Sequence, residues 1–424
     1  MKTNNIYYAE LNPIKKIVIY LVFFIAFCGW SSISLNISPW GGGLLVPMFA
    51  VILFIYVLFN NKMIRKEEMN PIVGYTLLTA AFSLIPALFE WNSSIGSYAK
   101  SYCFLFYGLA FYYMLNIWRV DPRYLIRIIT FFCVVWVVLE IVQQFTYPLY
   151  WFAGRKESEY TWTLENRMGL WRFYIWGVDF VMIAWSVYFA RFLKKVKKVS
   201  RKNIILALLF AVGLFCYGSR KHIAALLISI VVAFLFGKKR GSKIKFLLVI
   251  FGLALVTFIF MESYMSMNSE ISERQGMGDD FIRLLAADYF INSFADSKLY
   301  YFFGTGFGSE LLTSQIDYAK DTFNFYQADV GIIGYFSQVG IVGVSAIIFY
   351  FYRFFKNWKY IDIEYKMFFI MKAIMLFFDF WMMWSVGVVA YGVFLYLLNA
   401  NIRKNKAISS AVSNTKYISI EKSL

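Results

Sequence analysis

The chain has 424 residues, of which 60% are hydrophobic and only 16% are charged. In soluble globular domains about a quarter of all residues are charged, so this composition excludes an ordinary soluble protein. Runs of about 17–25 apolar residues recur along the chain, which is the length that an α-helix needs to cross a bilayer. Barrel strands would alternate polar and apolar residues instead. The sequence therefore predicts an all-α polytopic membrane protein, with residues 1–424 forming a single integral membrane domain.

About twelve transmembrane helices are predicted. In chain order, they cover 17–36, 42–59, 72–89, 98–117, 124–146, 172–191, 203–218, 221–237, 244–262, 330–352, 366–381 and 383–400. Residues 366–400 are almost continuously apolar, so one long kinked helix also fits this segment.

The basic residues alternate between the two sides of this layout. Loops on one side hold 30 of the 42 Lys and Arg, which predicts that this side and both termini are cytoplasmic. The net charge of +17 is therefore mostly a signal of topology, and no nucleic-acid partner is expected. Two loops on the outer side are long, and they cover 148–171 and 263–329.

The second long loop contains DDFIRLLAADYFINSFADS. Its larger apolar residues recur near helical spacing, which predicts an amphipathic helix on the membrane surface; a solvated loop is the alternative. These residues are Phe281, Leu284, Leu285, Tyr289, Ile291 and Phe294.

Three cationic or titratable residues stand in a row at the join of two apolar runs, in GSRKH. They are Arg220, Lys221 and His222, the only histidine in the chain. Long cations can reach lipid headgroups from such a position at little cost, and this is one interpretation. The other is an anion site, because a helix start offers free N–H groups and a positive dipole end, and arginine adds a bidentate fork. A phosphate or diphosphate would suit that site.

The end of the second long loop carries glycines and acids. Gly304, Gly306 and Gly308 lack the strand and helix of a nucleotide fold, so they are interpreted as a tight turn that returns the chain to the membrane. Three acids follow near the next span, and each is either a solvated surface group or a general base towards a sugar hydroxyl. They are Asp317, Asp321 and Asp329.

Charged residues also fall inside predicted spans, and they are expected to face the interior of the bundle because charge in lipid is costly. They are Glu140, Asp179, Lys372 and Asp379. Such charges also fit a flippase, but the two similar halves of a flippase are not seen. A small-solute transporter would show paired discontinuous helices, which are not seen either. All four cysteines lie in apolar runs without CxxC spacing and are interpreted as packing residues; they are Cys28, Cys103, Cys133 and Cys216.

Four motifs in order give the chain a family resemblance. They are NRMGLW with Arg167 and Gly169, GSR with Arg220, IRLLAADYF with Arg283, and GTGFG followed by DVGIIGYFSQVGIVG. With the topology, this order resembles the bacterial O-antigen polymerases and O-antigen ligases, and it covers roughly residues 150–350. The resemblance implies a multi-pass enzyme of the bacterial inner membrane that transfers glycans between undecaprenyl-diphosphate-linked sugars on the periplasmic face.

The resemblance also implies roles for individual residues. Arg220 and Arg283 would hold the lipid diphosphate, with Asp321 and Asp329 as the other candidate catalytic residues, although no general base is assigned. The expected substrate-binding residues are Arg167, Arg172, Lys221, His222 and Tyr326, and the glycine segments would frame the catalytic loop.

Ligases of this family carry a histidine just before GIIG, but KDTFNFYQAD has none, which favours a polymerase over a ligase. Fixed cations can stabilise a diphosphate leaving group, so neither a metal nor a cofactor is expected, although Asp279 and Asp280 keep the metal question open. The expected partners are the lipid-linked oligosaccharide, membrane lipids, a chain-length regulator and a flippase.

Overall fold

The computed structural model describes residues 8–27, 29, 45–147, 166–167, 170–171, 177–194, 200–217, 220–236, 279–306, 310–377 and 387–421; for Arg167 and Arg220 only the backbone is described. Its helices are α1 Pro13–Ala26, α2 Leu45–Phe59, α3 Asn70–Phe89, α4 Ile95–Ser101, α5 Cys103–Trp118, α6 Pro122–Thr146, α7 Val178–Lys194, α8 Arg201–Cys216, α9 Arg220–Phe236, α10 Asp279–Asp288, α11 Lys298–Phe303, α12 Glu310–Phe323, α13 Ile332–Lys356, α14 Ile363–Met375 and α15 Gly387–Glu421. Two short antiparallel strands, β1 Asn166–Arg167 and β2 Leu170–Trp171, separate α6 from α7.

Three helices in the described part of the chain are long and apolar enough to cross a membrane. They are α3, α6 and α13. Shorter apolar helical segments cover Val46–Phe59, Cys103–Trp118 and Lys221–Val231. A helix satisfies its own backbone hydrogen bonds, which is what lipid requires. The chain is therefore a helical membrane protein, and the number of twelve spans stays a prediction.

Some element boundaries differ from the expectation. The predicted span 98–117 is divided by a turn at Tyr102 into α4 and α5. The segment 366–400 forms two helices, and α15 continues to Glu421, well beyond its predicted end at residue 400. Apolarity marks where a helix leaves the membrane, but polar helix-forming residues can continue the same helix into water. The predicted span 244–262 lies outside the described residues.

Loops from distant parts of the chain meet at one end of the bundle, which we call the polar end. The Arg353 guanidinium donates to the backbone carbonyl of Glu68 and lies 3.2 Å from its carboxylate. Lys406 lies 2.6 Å from the same carboxylate, and Arg403 pairs with Glu67. The hydrogen bond from Lys406 lowers the pKa of Glu68, whereas burial raises the pKa of Glu67. The sequence predicts that these segments are cytoplasmic, and the structure groups them without showing which side they face.

The centre of the bundle is formed by α5 and α15, which are buried along most of their membrane-depth length. The two helices approach backbone to backbone at glycines. A Cβ atom on Gly108 would lie 2.6 Å from the carbonyl oxygen of Val388, and one on Gly392 would lie 2.3 Å from that of Gly108. Small residues at helix crossings permit this close packing in membranes. These two helices therefore form a closely packed centre for the bundle.

Candidate functional site

The end of the bundle opposite the polar end, which we call the far end, collects the predicted site segments. Because α13 reaches the polar end at Arg353, its first residues lie at the far end. There the Ile332 N–H donates to the Leu376 carbonyl at 2.8 Å, just after α14. Gly177, just before α7, packs against the ring of Phe27, just after α1. The far end thus contains the ends of α1 and α14 and the starts of α7 and α13.

The NRMGLW motif is a small hairpin attached to α6. Its strands pair Asn166 with Trp171 and Arg167 with Leu170. The Gln144 side chain donates to the Trp171 carbonyl at 2.6 Å and accepts from its N–H at 2.8 Å, while the rings of Tyr147 and Trp171 lie 4.4 Å apart. The backbone of Arg167 is therefore held near the last turn of α6, whereas Arg172 and Gly169 lie outside the described residues.

The last three residues of the GSRKH motif begin α9, with Arg220 as the first residue of that helix, as predicted. Lys221 is half-buried, and His222 is buried with an exposed fraction of 3%. The His222 ring packs edge-on against Tyr217, with the centroids 5.0 Å apart. Tyr217 in turn lies 6.1 Å from Trp136 of α6. This turn therefore packs against the same helix that carries the NRMGLW hairpin.

Glu140 lies one helical turn below Gln144 on α6 and has no exposed surface. It interacts electrostatically with Cys216, the last residue of α8. Within the described part of the chain, neither carboxylate oxygen has a hydrogen-bond partner. The prediction that Glu140 faces the bundle interior is confirmed.

Lys372 and Asp179 form an ion pair between α14 and α7, with Nζ 2.5 Å from Oδ1. Both lie within the last or first turn of their helices, at the far end. The burial predicted for Lys372 is confirmed, and its carboxylate partner, Asp179, lies on a different helix. Asp379 lies outside the described residues.

The second long loop forms a helical layer over the ends of α3 and α13. Arg283 lies in α10 with its side chain exposed. The helix packs through Ala286, and a following π-turn, Tyr289–Ser293, continues the buried face with Phe290. The predicted helix is present, and Leu284 and Leu285, two residues of its expected membrane-facing side, are exposed, with Leu284 at 70%. Position along the membrane surface stays a prediction.

The candidate acids take different positions in this layer. Asp329 is exposed in the turn Gln327–Val330, on which α10 packs, so the elements that carry Arg283 and Asp329 touch. Asp321 is 73% exposed and lies 3.8 Å from Lys320, as a solvated acid does. Tyr326, half-buried, precedes the turn of Asp329. Asp279 and Asp280 lie in the first turn of α10, and only their backbone is described; the side chains that the structure does describe include no group of potential metal ligands.

The glycine segment docks into a break in α13. Gly340, with φ of +62°, interrupts that helix, and Gly304, with φ of +73°, faces it. The Thr305 and Gly306 N–H groups donate to the carbonyls of Ser337 and Gln338, each at 2.9 Å. The chain therefore contacts α13 at this point, and α12 follows before α13 begins; the tight-turn interpretation of the three glycines stays a prediction. Gly308 lies outside the described residues.

A buried chain of amides supports the break. The Gln338 amide donates to Gln327 at 3.0 Å, and the Gln327 amide donates to the Ser337 hydroxyl at 2.6 Å. All three side chains are buried. Since Gln327 begins the turn that holds Asp329, these hydrogen bonds fix that turn against α13.

Replacing Gly304 by Ala is expected to destabilise the protein by about 3 kcal/mol or more, because the new Cβ would lie 2.1 Å from the Gln338 backbone in a left-handed conformation. The matched control is Gly74→Ala in α3, where nothing lies within 4 Å of the added atom. The control should be neutral or slightly stabilising, since alanine favours the helix. Thermal aggregation of the detergent-purified variants measures both. Equal stability of the two variants would contradict the close approach.

The far end therefore brings the predicted residues into two groups. The NRMGLW strands and the residues next to GSRKH both pack on α6, at different heights, and Arg283, Asp329 and the glycines share the layer on α13. The side chain of Arg220 is outside the described residues, so its convergence with Arg283 stays a prediction. Sequence reasoning missed the hydrogen bonds of Gln144 and those of Gln327. An amide in a largely apolar segment was the available signal for Gln144, whereas the polar segment around Gln327 offered none.

Comparison with known proteins gives no independent identification. No model of a known protein family matches the chain, and no curated protein matches it either. The function is therefore argued from the four motifs and from the geometry of the far end.

Proposed function

We propose that the protein is a polymerase of lipid-linked oligosaccharide repeat units. The growing glycan would leave its undecaprenyl diphosphate and join the non-reducing end of an incoming lipid-linked repeat, on the periplasmic face of the inner membrane. The bond broken joins the anomeric carbon to the diphosphate, and the bond formed joins that carbon to an acceptor hydroxyl. The hydroxyl proton leaves to a base, and the diphosphate carries away the electron pair.

One observation carries this proposal. The basic residues of GSRKH begin α9, and NRMGLW, a second motif of the family resemblance, is attached to α6 at the same end of the bundle. A helix start offers free N–H groups to an anion, and Arg220 is its first residue. The neighbouring hairpin carries Arg167. A diphosphate at this depth would remain joined to a lipid whose tail lies in the bilayer. Fixed cations of this kind stabilise the negative charge that develops on the leaving group.

Two other functions use the same lipid-linked substrates. A ligase would transfer the finished glycan to another lipid, and the segment 320–329 lacks the histidine that the family resemblance associates with ligases. A flippase would move the lipid-linked glycan across the bilayer. The Lys372–Asp179 pair accounts for two of the intramembrane charges as a structural contact, and this reduces the support for a charged transport cavity.

Deletion of the gene separates these functions. For a polymerase, we expect surface glycan reduced to single repeat units attached to their final acceptor. A ligase deletion instead leaves long chains on undecaprenyl diphosphate, and a flippase deletion leaves single repeats on the cytoplasmic side. The products are resolved by electrophoresis of extracted glycolipids, with the wild-type gene restored on a plasmid as the control. Long chains on the normal acceptor after deletion would refute all three functions.

A further inference from the structure

A partly exposed aromatic surface lies on the layer that packs on α13, with two of its rings exposed and two half-buried. Its members are Tyr289 from the π-turn, and Tyr318, Phe323 and Phe325 from α12 and the residues after it. The Phe323 ring lies 5.4 Å from Phe325, 5.7 Å from Tyr318 and 6.1 Å from Tyr289. Tyr318 is 58% exposed and Phe323 is 44% exposed. We call these four residues the aromatic shelf.

The shelf arises from the way that α12 ends. Asn324 has φ of +59°, a left-handed conformation that terminates helices. Its N–H donates to the Lys320 carbonyl at 2.9 Å, and the Phe325 N–H donates to the Ala319 carbonyl at 3.1 Å. The chain therefore reverses between two phenylalanines and stacks their rings, with an interplanar angle of 28°.

The shelf stands on a packed base. Leu312 and Ala319 of α12 are buried beneath it, and Tyr289 continues into a cluster with Phe290 and Phe294. The cluster also includes Trp91, whose ring stacks on Phe294 at 5.8 Å. The rings of the shelf are thus held in place before any partner arrives, which lowers the entropic cost of binding.

Among the side chains that the structure describes, the charged groups on the elements of the shelf are three acids and one cation, Lys320, which lies 3.8 Å from Asp321. Asp317 and Asp321 are both exposed on α12, and Asp288 is exposed beside Tyr289. An interfacial membrane helix carries lysine and arginine on its polar face, because anionic headgroups attract them. The acids on this face disfavour anionic lipid. Exposed aromatic patches of this kind mark binding surfaces.

We infer that the aromatic shelf binds the glycan part of the substrate, as a run of neutral or amino sugars. Sugar rings present C–H groups that pack on aromatic faces, and their hydroxyls donate to carboxylates such as Asp317 and Asp321. The negative charge also excludes strongly acidic glycan. This inference rests on the proposed function. The second long loop would hold the glycan chain while the end of the glycan reacts at another place on the far end.

The test measures glycan binding directly. The full-length protein in lipid nanodiscs is applied to immobilised surface polysaccharide of the same bacterium, released from its lipid by mild acid. We expect the Tyr318→Ala/Phe323→Ala variant to bind about tenfold more weakly or worse, the loss typical of truncated aromatic contacts at interfaces. Tyr318→Phe/Phe323→Tyr keeps both rings and should bind as wild type does. Leu311→Ala, at an exposed apolar position of the same helix, is the matched control and should not change binding.

In cells, the double alanine variant should produce shorter polymer at matched membrane levels. Unchanged binding and unchanged chain length would overturn the shelf, whatever gene deletion shows. Weakened binding by this variant, together with long chains after deletion, would support the shelf and refute the polymerase. If the shelf lies in lipid instead, the fluorescence added by Tyr318→Trp will be quenched by brominated lipid in the nanodisc, which also overturns it.

Discussion

Replacing Arg220 by Ala should slow polymerisation by one to two orders of magnitude and leave mainly short glycans. Arg220 begins α9 at the far end, where in the proposed function its charge and the helix dipole would act on the same anion. A charge-assisted hydrogen bond contributes about 1.5–3 kcal/mol, and each 1.36 kcal/mol is about tenfold in rate. Arg283→Ala should have a comparable effect if both arginines hold the diphosphate. Polymer length is measured in cells with matched membrane levels of each variant.

The conservative and control variants sharpen this prediction. Arg220→Lys should also impair polymerisation, because lysine keeps the charge but loses the planar fork. His222→Ala should be milder, since His222 is buried against Tyr217. Lys298→Ala removes an exposed cation of the same outer layer and should leave polymer normal. Normal polymer from both arginine variants would mean that these cations only reach headgroups.

Replacing Lys372 by Met should destabilise the protein by about 3–5 kcal/mol, because it leaves the carboxylate of Asp179 without this cation inside the bundle. Asp179→Asn should also be destabilising, because it removes the carboxylate that faces the ammonium group of Lys372. The double variant Lys372→Met/Asp179→Leu should recover much of the loss, since well-packed apolar pairs often match buried ion pairs in stability. Thermal aggregation in detergent gives the ranking.

An exposed pair supplies the control for that cycle. Lys320 and Asp321 lie 3.8 Å apart on the surface of α12, and Lys320→Met should change stability by less than about 1 kcal/mol. A double variant no more stable than either single variant would show that the two charges act separately. Loss of polymer from the double variant at full stability would show instead that the pair takes part in the reaction.

The positions of several helices follow from local sequence. Pro13 and Pro122 each stand at the first residue of a helix, and the side chains of Asn12 and Asp121 accept from the N–H groups that follow. These capping signals stand just before the apolar runs, and the spans predicted from 17 and 124 begin within a few residues of the two helices. The start of α9 at Arg220 is a further case.

Contacts between helices were harder to predict. The cost of charge in lipid predicts that Lys372 faces the bundle interior, but it does not identify its partner, Asp179, which is 193 residues away. On α10 the residue that the protein covers is the small Ala286, whereas Leu284 stays exposed. Which face is buried depends on what packs above it, and one-dimensional periodicity does not contain that information.

The break in α13 has a consequence for the order of biosynthesis. At Gly340 the carbonyls of Ser337 and Gln338 turn away from the helix and accept from Thr305 and Gly306. In lipid, each such carbonyl would cost several kcal/mol without a donor. Because the ribosome makes residues 305 and 306 before 337 and 338, the donor segment is already available when α13 leaves the translocon. Circular permutation that placed residues 298–306 after α13 would reverse that order. The carbonyls of Ser337 and Gln338 would then lack these donors during insertion.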